Sequence, residues 1–268
     1  MPVGYLLFTD LDGTLLDHHS YQWQAAQPAL QALAEAGVPV IFTTSKTAAE
    51  LAPLQQTMGN THPCIAENGA LVVIPPGYFD NPESQVHYLG QPRQALLAVL
   101  ARLRDEGFQF QMFSDLSAQA LADLTGLDTA SAGLALQRQA TEPLLCQMDD
   151  LQLEGFRRAL DAEGLTLLAG GRFLHVMGRF DKGDAMTWLV RRYGERWGTD
   201  AVKTIALGDG PNDARMLMAA DYPVLIPGAR SADCKIDHPR LRHAPAPGPE
   251  GWNQSVLALM RELSIAPA

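Results

Sequence analysis

The sequence predicts an α/β fold built on a parallel sheet, and two observations carry this prediction. Short apolar runs alternate with helical patterns near the start of the chain and again after Gly178. In addition, the apolar runs that precede Asp10 and Asp209 both lead into acidic residues and glycine. Strands that alternate with helices form parallel sheets, and ligands bind beyond the carboxyl ends of such strands. A ligand site is therefore expected where these two runs end.

The first part of the chain alternates between strand and helix patterns. Leu30, Leu33 and Ala34 share one face of a predicted helix that Gly37 ends. The turn Glu67-Asn68-Gly69 separates two later apolar runs. In chain order, the predicted elements are strand 5–9, helix 28–36, strand 38–43, helix 48–58, strand 63–66 and strand 70–74.

A different pattern begins after the stretch from Pro75 to Pro82, whose prolines and glycine predict a hinge region. The following residues have an α+β rhythm without the acid-glycine runs. We therefore predict a core domain at 1–82 and 179–268, with an inserted α+β domain at 83–178. The inserted elements are predicted as helix 92–106, strand 108–113, two short helices within 117–136, strand 143–148, helix 151–163, strand 165–169, a turn at Gly170-Gly171 and strand 172–177.

The first pattern resumes after Gly178, because apolar runs and helical patterns again alternate. A Pro-rich loop at 243–249 precedes the last helix. The elements predicted here are helix 184–193, strand 204–207, helix 212–219, strand 223–226 and helix 252–263.

Composition and charge exclude several classes of protein. The chain has 268 residues and a net charge of −10, so its overall field repels nucleic acid and anionic lipid. Its three cysteines, Cys64, Cys146 and Cys234, form no metal-binding or disulfide pattern. The first residues do not read as a secretion signal, and no apolar stretch is long enough for a membrane span. We expect a cytoplasmic protein without nucleic-acid or membrane partners.

Asp10 and Asp12 are the most informative pair of residues. In an extended chain, residues two apart point to the same face, so both carboxylates can converge on one point. Two acids this close repel each other unless a cation lies between them or one is protonated. Oxygen ligands of this kind suit Mg²⁺. The alternative interpretation is a plain strand followed by an Asp-Gly turn.

Further polar residues are expected at the same edge of the sheet. Thr44 follows one predicted strand and Asp209 follows another, while Asp213 falls in the first turn of a helix. Lys182 lies where the chain returns to the core. Such a set suits phosphoryl transfer, with one carboxylate as nucleophile, another as proton donor, and a metal and a lysine to spread charge.

In combination, these motifs resemble those of the haloacid dehalogenase superfamily of phosphatases. Asp10-Leu11-Asp12-Gly13-Thr14 matches the first motif, Thr44 the second, Lys182 the third and Gly208-Asp209-Gly210-Pro211-Asn212-Asp213 the fourth. The resemblance implies a Rossmann-like core. It also implies that the inserted segment is a C2-type cap (C2B) like that of the Cof-like branch, which roofs the site and selects the substrate.

The same resemblance implies roles for individual residues. Asp10 would be the nucleophile that forms an aspartyl-phosphate, and Asp12 the general acid and base. Mg²⁺ would be bound by the side chains of Asp10 and Asp209 and by the backbone carbonyl of Asp12. Asp213 would be a further ligand or an acid that lies next to the ligands without binding the metal. Thr44 and the catalytic Lys182 would hold the phosphate.

A finer resemblance is to the mannosyl-3-phosphoglycerate phosphatase family. It is carried by the segment from Asp10 to Tyr21 with Trp23, by Thr44-Ser45-Lys46-Thr47, and by Glu67-Asn68-Gly69 and 137–144. It implies a phosphorylated sugar-glycerate as substrate, bound by Ser45, Lys46 and Asn68 beside Thr44. A broader Cof-like sugar-phosphate phosphatase, a phosphomannomutase-like phosphotransferase and a catalytically silent binding protein remain alternatives. The sequence leaves open whether the chain is a monomer or a small homo-oligomer.

The inserted segment offers candidate substrate ligands of its own. Arg138 has the geometry to bind a glycerate carboxylate, and Glu142 can accept hydrogen bonds from sugar hydroxyls. Arg172 and His175 are candidates to face the core across the cleft. For Arg138 the alternative is a surface ion pair, and for His175 it is a structural role in a strand. Lys46 could equally be a solvated residue at a helix start.

Overall fold

A computed structural model describes residues 4–169 and 173–266 of the chain. The first part alternates strands and helices and then forms an antiparallel sheet of three strands, β3-β4-β5. Its elements are β1 (Gly4–Thr9), α1 (Gln27–Glu35), β2 (Val40–Phe42), α2 (Ala48–Met58), β3 (Cys64–Ala66), β4 (Leu71–Ile74) and β5 (Gln85–Tyr88).

The middle part builds a separate antiparallel sheet with the strand order β6-β7-β9-β8. The predicted turn at Gly170-Gly171 and the start of the predicted strand at Arg172 lie outside the described residues. The elements are α3 (Arg93–Asp105), β6 (Phe110–Met112), α4 (Ala118–Thr125), α5 (Thr129–Ala135), β7 (Glu142–Cys146), α6 (Asp150–Ala162), β8 (Leu165–Ala169) and β9 (Leu174–Gly178).

The last part completes a five-stranded parallel sheet with the order β12-β11-β10-β1-β2. Thr9 at the end of β1 pairs with Leu207 on β10 and with Phe42 on β2, so the carboxyl ends of these three strands meet at one edge. The elements are α7 (Lys182–Trp197), β10 (Val202–Gly208), α8 (Ala214–Ala219), β11 (Tyr222–Leu225), β12 (Arg242–His243) and α9 (Gly248–Glu262). The predicted α/β fold with a parallel sheet is confirmed.

The central sheet is buried on both faces, as its apolar strands predict. Leu7 packs in one cluster with Leu33 of α1 and Trp252 of α9. Leu6, which points the opposite way along β1, packs in a second cluster with Leu189 of α7. Helices therefore cover the sheet from both sides and leave the strand ends free to form a site.

Among the described elements, the sequence patterns miss the strands β5 and β12 and misplace the starts of helices α7 and α9. β5 pairs with β4, so the predicted boundary at 82–83 precedes a strand that belongs with the first part of the chain. β12 lies just before and within the predicted Pro-rich loop. Helix α7 begins at Lys182 rather than at residue 184, because the Asp181 side chain accepts hydrogen bonds from the backbone of Gly183 and Asp184 and caps the helix. Helix α9 begins at residue 248 rather than 252.

The middle part lies against the first part through polar contacts as well as apolar ones. The Thr47 hydroxyl donates a hydrogen bond to the backbone carbonyl of Leu134, at 3.0 Å. Tyr88 on β5 donates to the side chain of Gln139. These contacts place residues 134–139 above the carboxyl edge of the central sheet. Within the ranges described, no helix is both long and apolar enough to cross a membrane.

Candidate active site

Two acids and a lysine meet where β1 and β10 end. Asp10 directly follows β1, Asp213 lies in the 3₁₀ turn before α8, and Lys182 is the first residue of α7. The Nζ atom of Lys182 is 2.6 Å from Oδ1 of Asp10 and 2.6 Å from Oδ1 of Asp213. All three side chains are buried. They meet because β1 and β10 are neighbours with the same direction.

Burial of this cluster shifts the protonation of its members. Burial lowers the pKa of Lys182, but the Asp10 and Asp213 carboxylates outweigh this and raise its pKa above the usual value. Burial raises the pKa of Asp10 well above its usual value, with Lys182 opposing the rise and Asp213 and Asp209 adding to it. Burial and Asp213 raise the pKa of Asp209 to about 6. When all three acids are ionised, their negative charge exceeds the positive charge of the one lysine, and a bound cation would neutralise the excess.

The same three acids have the geometry of a metal site. Asp10, Asp209 and Asp213 each offer one carboxylate oxygen, and these oxygens lie within 4.8 Å of one another. Carboxylate oxygens fit a hard divalent cation such as Mg²⁺. Asp213 also accepts hydrogen bonds at Oδ2 from the backbone nitrogens of Asp209 and Gly210, at 3.1 and 3.0 Å. It therefore fixes the loop that carries Asp209 in addition to contributing charge.

The loop after β1 approaches Asp209 closely. A side chain at Gly13, where φ is +83°, would place its Cβ 2.7 Å from Oδ2 of Asp209, so only glycine fits here. The Thr14 hydroxyl donates a hydrogen bond to Oδ1 of Asp209 at 3.2 Å. The sequence alone gives Thr14 no separate role, although Thr14 belongs to the first motif. Its contact orients the carboxylate of a candidate metal ligand.

Asp12 lies beside the acid cluster and pairs with Lys46. The Nζ atom of Lys46 is 2.7 Å from Oδ2 of Asp12 and 5.3 Å from the ring centre of Tyr21. Burial lowers the pKa of Lys46, but Asp12 and Glu50 together outweigh this effect, so the pKa is raised overall. The other oxygen of Asp12, Oδ1, is buried and has no hydrogen-bond partner. Lys46 is therefore not a solvated residue at a helix start, since it holds one oxygen of Asp12 and leaves the second available.

Thr44 and Asn68 are brought together by backbone hydrogen bonds. The backbone nitrogen of Thr44 donates to Ile65, and that of Asn68 donates to Thr44, at 3.0 and 2.9 Å. The Asn68 side chain accepts a hydrogen bond from Asn212 at 3.3 Å, and its Nδ2 is buried without a partner. Asn68 has a φ of +59°. Asparagine tolerates this left-handed conformation, and the hydrogen bond from Asn212 places its amide group among the motif residues.

Glycine at position 69 lets this turn approach the start of α7. Its φ is +98°, and a Cβ there would lie 2.2 Å from the backbone oxygen of Asp181, the residue before Lys182. The turn after β3 therefore touches the segment that positions Lys182. The position requires glycine both for its backbone angle and for the close approach.

Arg138 reaches from the inserted segment to the core. Its Nη2 donates to the backbone oxygen of Ser45 at 3.0 Å, and its Nη1 donates to the Thr141 hydroxyl at 2.7 Å. The side chain is only 6% exposed, so the alternative of a surface ion pair does not describe it. Because Ser45 follows Thr44, Arg138 lies directly above the candidate phosphate-binding loop.

The other predicted cap ligands differ in their surroundings. Both oxygens of Glu142 have internal partners, because Arg93 lies 2.6 Å away and the backbone of Ser114 donates at 2.8 Å. Glu142 is fully buried, and this geometry does not support its predicted contact with sugar hydroxyls. His175 is buried on β9 with an unpartnered Nδ1. Arg172 lies outside the described residues.

Glu67 is a functional candidate whose sequence context indicates only a turn. Its fully buried carboxylate accepts hydrogen bonds from the backbone nitrogens of Gln139 and Ala140, at 2.7 and 3.2 Å, and from the Thr141 hydroxyl at 2.7 Å. Its φ is +51°. One core carboxylate thus holds the inserted segment at the positions next to Arg138. No sequence pattern signals this, because the partners are mostly backbone groups distant in the chain.

Comparison with known proteins finds related sequences over nearly the whole chain. Residues 7–132 match the family of haloacid dehalogenase-like hydrolases. Over 269 residues the chain is 38% identical to a glucosyl-3-phosphoglycerate/mannosyl-3-phosphoglycerate phosphatase from Methanococcoides burtonii, a match that covers 96% of this chain and 97% of that protein. A protein of the same name from Persephonella marina is 33% identical over 266 residues, which cover 96% of this chain and 98% of the relative.

Solved structures share the fold at lower sequence identity. A sugar phosphatase of HAD subclass IIB superposes with a TM-score of 0.66 at 18% identity, covering 97% of this chain and 99% of the other. At this identity the likeness concerns the fold alone. It extends over both the parallel sheet and the inserted segment.

Proposed function

Since the chain belongs to the haloacid dehalogenase-like hydrolases and is a phosphatase, we propose that it removes phosphate from a glycosylated 3-phosphoglycerate in an Mg²⁺-dependent reaction. The observation that carries the chemistry is the cluster of Asp10, Lys182 and Asp213 with two contacts of 2.6 Å at the edge of the sheet. The substrate class is supported by the names of two relatives at 38% and 33% identity.

Asp10 is the proposed nucleophile. One of its oxygens contacts Lys182, and the other carboxylate oxygen is the one available to attack phosphorus. Attack would form an aspartyl-phosphate on Asp10 and release the alcohol of the glycerate, and water would then hydrolyse the aspartyl-phosphate. When bound by Asp10 and Asp209, Mg²⁺ would neutralise charge so that the carboxylate and the phosphate can approach each other.

Asp12 is the proposed general acid and base. It would give a proton to the leaving alcohol and later take one from the attacking water. Its unpartnered Oδ1 is the atom available for this exchange, while Lys46 holds Oδ2 at 2.7 Å. Thr44, Ser45 and Asn68 would bind the phosphate oxygens, and Lys182 would balance the charge that develops.

The inserted segment, predicted as residues 83–178, is proposed to act as a cap over the site. Arg138 and Glu67 support this role, because their hydrogen bonds join the segment to the core beside Thr44. A closed cap would exclude bulk water from the acid cluster and strengthen its electrostatic interactions.

A substrate panel tests the proposal. We expect phosphate release from mannosyl-3-phosphoglycerate or glucosyl-3-phosphoglycerate to exceed that from hexose phosphates by at least about a hundredfold in kcat/KM, and to require Mg²⁺. Similar rates on many sugar phosphates would instead favour a broader sugar phosphatase. Isomerisation of a hexose phosphate without phosphate release would favour the phosphotransferase alternative.

A further inference from the structure

Buried polar side-chain atoms without hydrogen-bond partners occur in both the core and the inserted segment. Buried polar groups are almost always hydrogen-bonded, so each exception calls for a missing water or ligand. Two of the exceptions belong to the proposed catalytic machinery described above. Among the described residues, the unpartnered atoms are Asp12 Oδ1, Asn68 Nδ2, Arg93 Nη2, Arg138 Nε and His175 Nδ1.

Arg138 is held so that one donor remains unused. Its Nη1 and Nη2 atoms bind Thr141 and the backbone of Ser45, whereas Nε has no partner. Glu67 lies 3.8 Å from Nη1 and is occupied by three closer donors. The guanidinium group is thus fixed in place with an N–H group available to an acceptor.

His175 lies on the face of the inserted sheet that is opposite the helices α3 and α6. Val176, its neighbour on β9, packs with Leu100 of α3 and Phe156 of α6. Successive residues of a strand point to opposite faces, so His175 points away from those helices. Burial and the charge of Arg138 lower the pKa of His175 to about 3, which keeps the ring neutral near pH 7. A neutral imidazole can donate one hydrogen bond from Nδ1.

From this placement we infer that Arg138 Nε and His175 Nδ1 form a subsite for the carboxylate of the glycerate part of the substrate. The inference rests on the proposed function and extends it to His175, for which the sequence leaves a structural role equally open. Arg138 contacts Ser45, next to the candidate phosphate ligand Thr44, so its free donor lies near the atoms that follow the phosphate ester. In 3-phosphoglycerate the carboxylate is the anionic group nearest to that ester.

Two small phosphates that differ at one group provide the test. 3-Phosphoglycerate carries the carboxylate, and glycerol 3-phosphate has a hydroxymethyl group in its place. Their inhibition constants would be measured against hydrolysis of mannosyl-3-phosphoglycerate by the Mg²⁺-loaded full chain. We expect the wild-type protein to bind 3-phosphoglycerate at least about tenfold more tightly than glycerol 3-phosphate, because only the carboxylate can accept a charge-assisted hydrogen bond at the subsite.

His175→Leu and His175→Asn separate binding from structure. Leucine removes the hydrogen-bond donor, so the ratio of the two inhibition constants that favours 3-phosphoglycerate should fall about tenfold. The inhibition constant of glycerol 3-phosphate should stay within about twofold of the wild-type value. Asparagine places an amide nitrogen near the position of Nδ1 and should retain most of the preference. A structural role for His175 would instead weaken both inhibitors equally in the two variants, and this result would overturn the inference.

The same experiment distinguishes the two levels of the proposal. If the wild-type protein hydrolyses mannosyl-3-phosphoglycerate but binds both inhibitors equally, the subsite is overturned and the proposed function stands. If it releases no phosphate from mannosyl-3-phosphoglycerate or glucosyl-3-phosphoglycerate, the proposed function is overturned and the subsite with it.

Discussion

Lys182 and Asp10, which lie far apart in the sequence, form a buried contact of 2.6 Å at the centre of the candidate site. Lys182 also contacts Asp213, and all three side chains are shielded from solvent. The lysine neutralises acids that would otherwise repel each other, which stabilises the fold, and in the proposed reaction it would also balance charge. Its removal should affect both.

Substitution Lys182→Met should destabilise the metal-free protein by about 3 kcal/mol or more, since it leaves buried carboxylates without their counter-charge. The effect is expected at neutral pH, because the raised pKa of Lys182 keeps it charged there. Chemical denaturation measures the free energy of unfolding. Lys203→Met is the control, because Lys203 forms a partly exposed pair with Asp221 at 2.7 Å and its loss should cost less than about 1 kcal/mol. Equal losses for both variants would contradict the role given to Lys182.

Magnesium should raise the melting temperature of the wild-type protein. Binding to the folded state alone stabilises it by about 2.7 kcal/mol when the metal is at a hundred times its dissociation constant. Because the pKa of Asp209 is raised to about 6, protons compete with the metal below that pH, and the stabilisation should shrink as the pH falls. Asp209→Asn should abolish it. Calorimetric melting with and without Mg²⁺ at several pH values checks this prediction. If Mg²⁺ raised the melting temperature of Asp209→Asn as much as that of the wild-type protein, the proposed metal site would be contradicted.

His175 should make the protein less stable in acid. Its depressed pKa of about 3, against an ordinary 6.5, means that the folded protein binds fewer protons than the unfolded chain between these values. Stability therefore rises with pH across this window and is lost as the pH falls through it. The loss between about pH 7 and pH 5 should be about 2 kcal/mol. In His175→Leu this part of the pH dependence should disappear, and an identical pH profile would show that the ring is not buried as described.

Glu67 should control how firmly the inserted segment is held. Glu67→Gln replaces a carboxylate that accepts three hydrogen bonds with an amide whose NH₂ group faces donors. We expect KM for the sugar-phosphoglycerate to rise about tenfold with a smaller change in kcat, because Arg138 loses its fixed position. The exposed Glu83→Gln is the matched control and should leave KM unchanged. An unaltered KM in Glu67→Gln would show that its hydrogen bonds do not position the segment for binding.

The sequence predicts the candidate site at the edge of the sheet better than it predicts the inserted segment. Asp10, Asp209 and Thr44 follow apolar strands, and the rules for parallel sheets bring such strand ends together without further information. The elements of the first part follow from glycine stops and apolar periodicity, and α2 has the predicted bounds of Ala48–Met58.

What the sequence does not predict depends on tertiary contacts with no local signal. The hydrogen bonds of Glu67 go mainly to backbone groups of the inserted segment, and the pairing of β5 with β4 depends on a long loop between them. The internal pairing of Glu142 with Arg93 likewise joins residues on different elements. A polar residue in a pattern cannot reveal whether it faces a substrate or another side chain.

The most direct test of Asp10 as the nucleophile compares phosphate release by the wild-type protein and by Asp10→Asn, each with Mg²⁺ and mannosyl-3-phosphoglycerate. Circular dichroism checks that each variant has an intact fold. Asparagine keeps the shape of the side chain but is a poor nucleophile, so we expect activity to fall by about a thousandfold or more. The exposed Asp123→Asn should retain wild-type activity. Release of phosphate by folded Asp10→Asn at the wild-type rate would contradict the assignment of Asp10 as nucleophile.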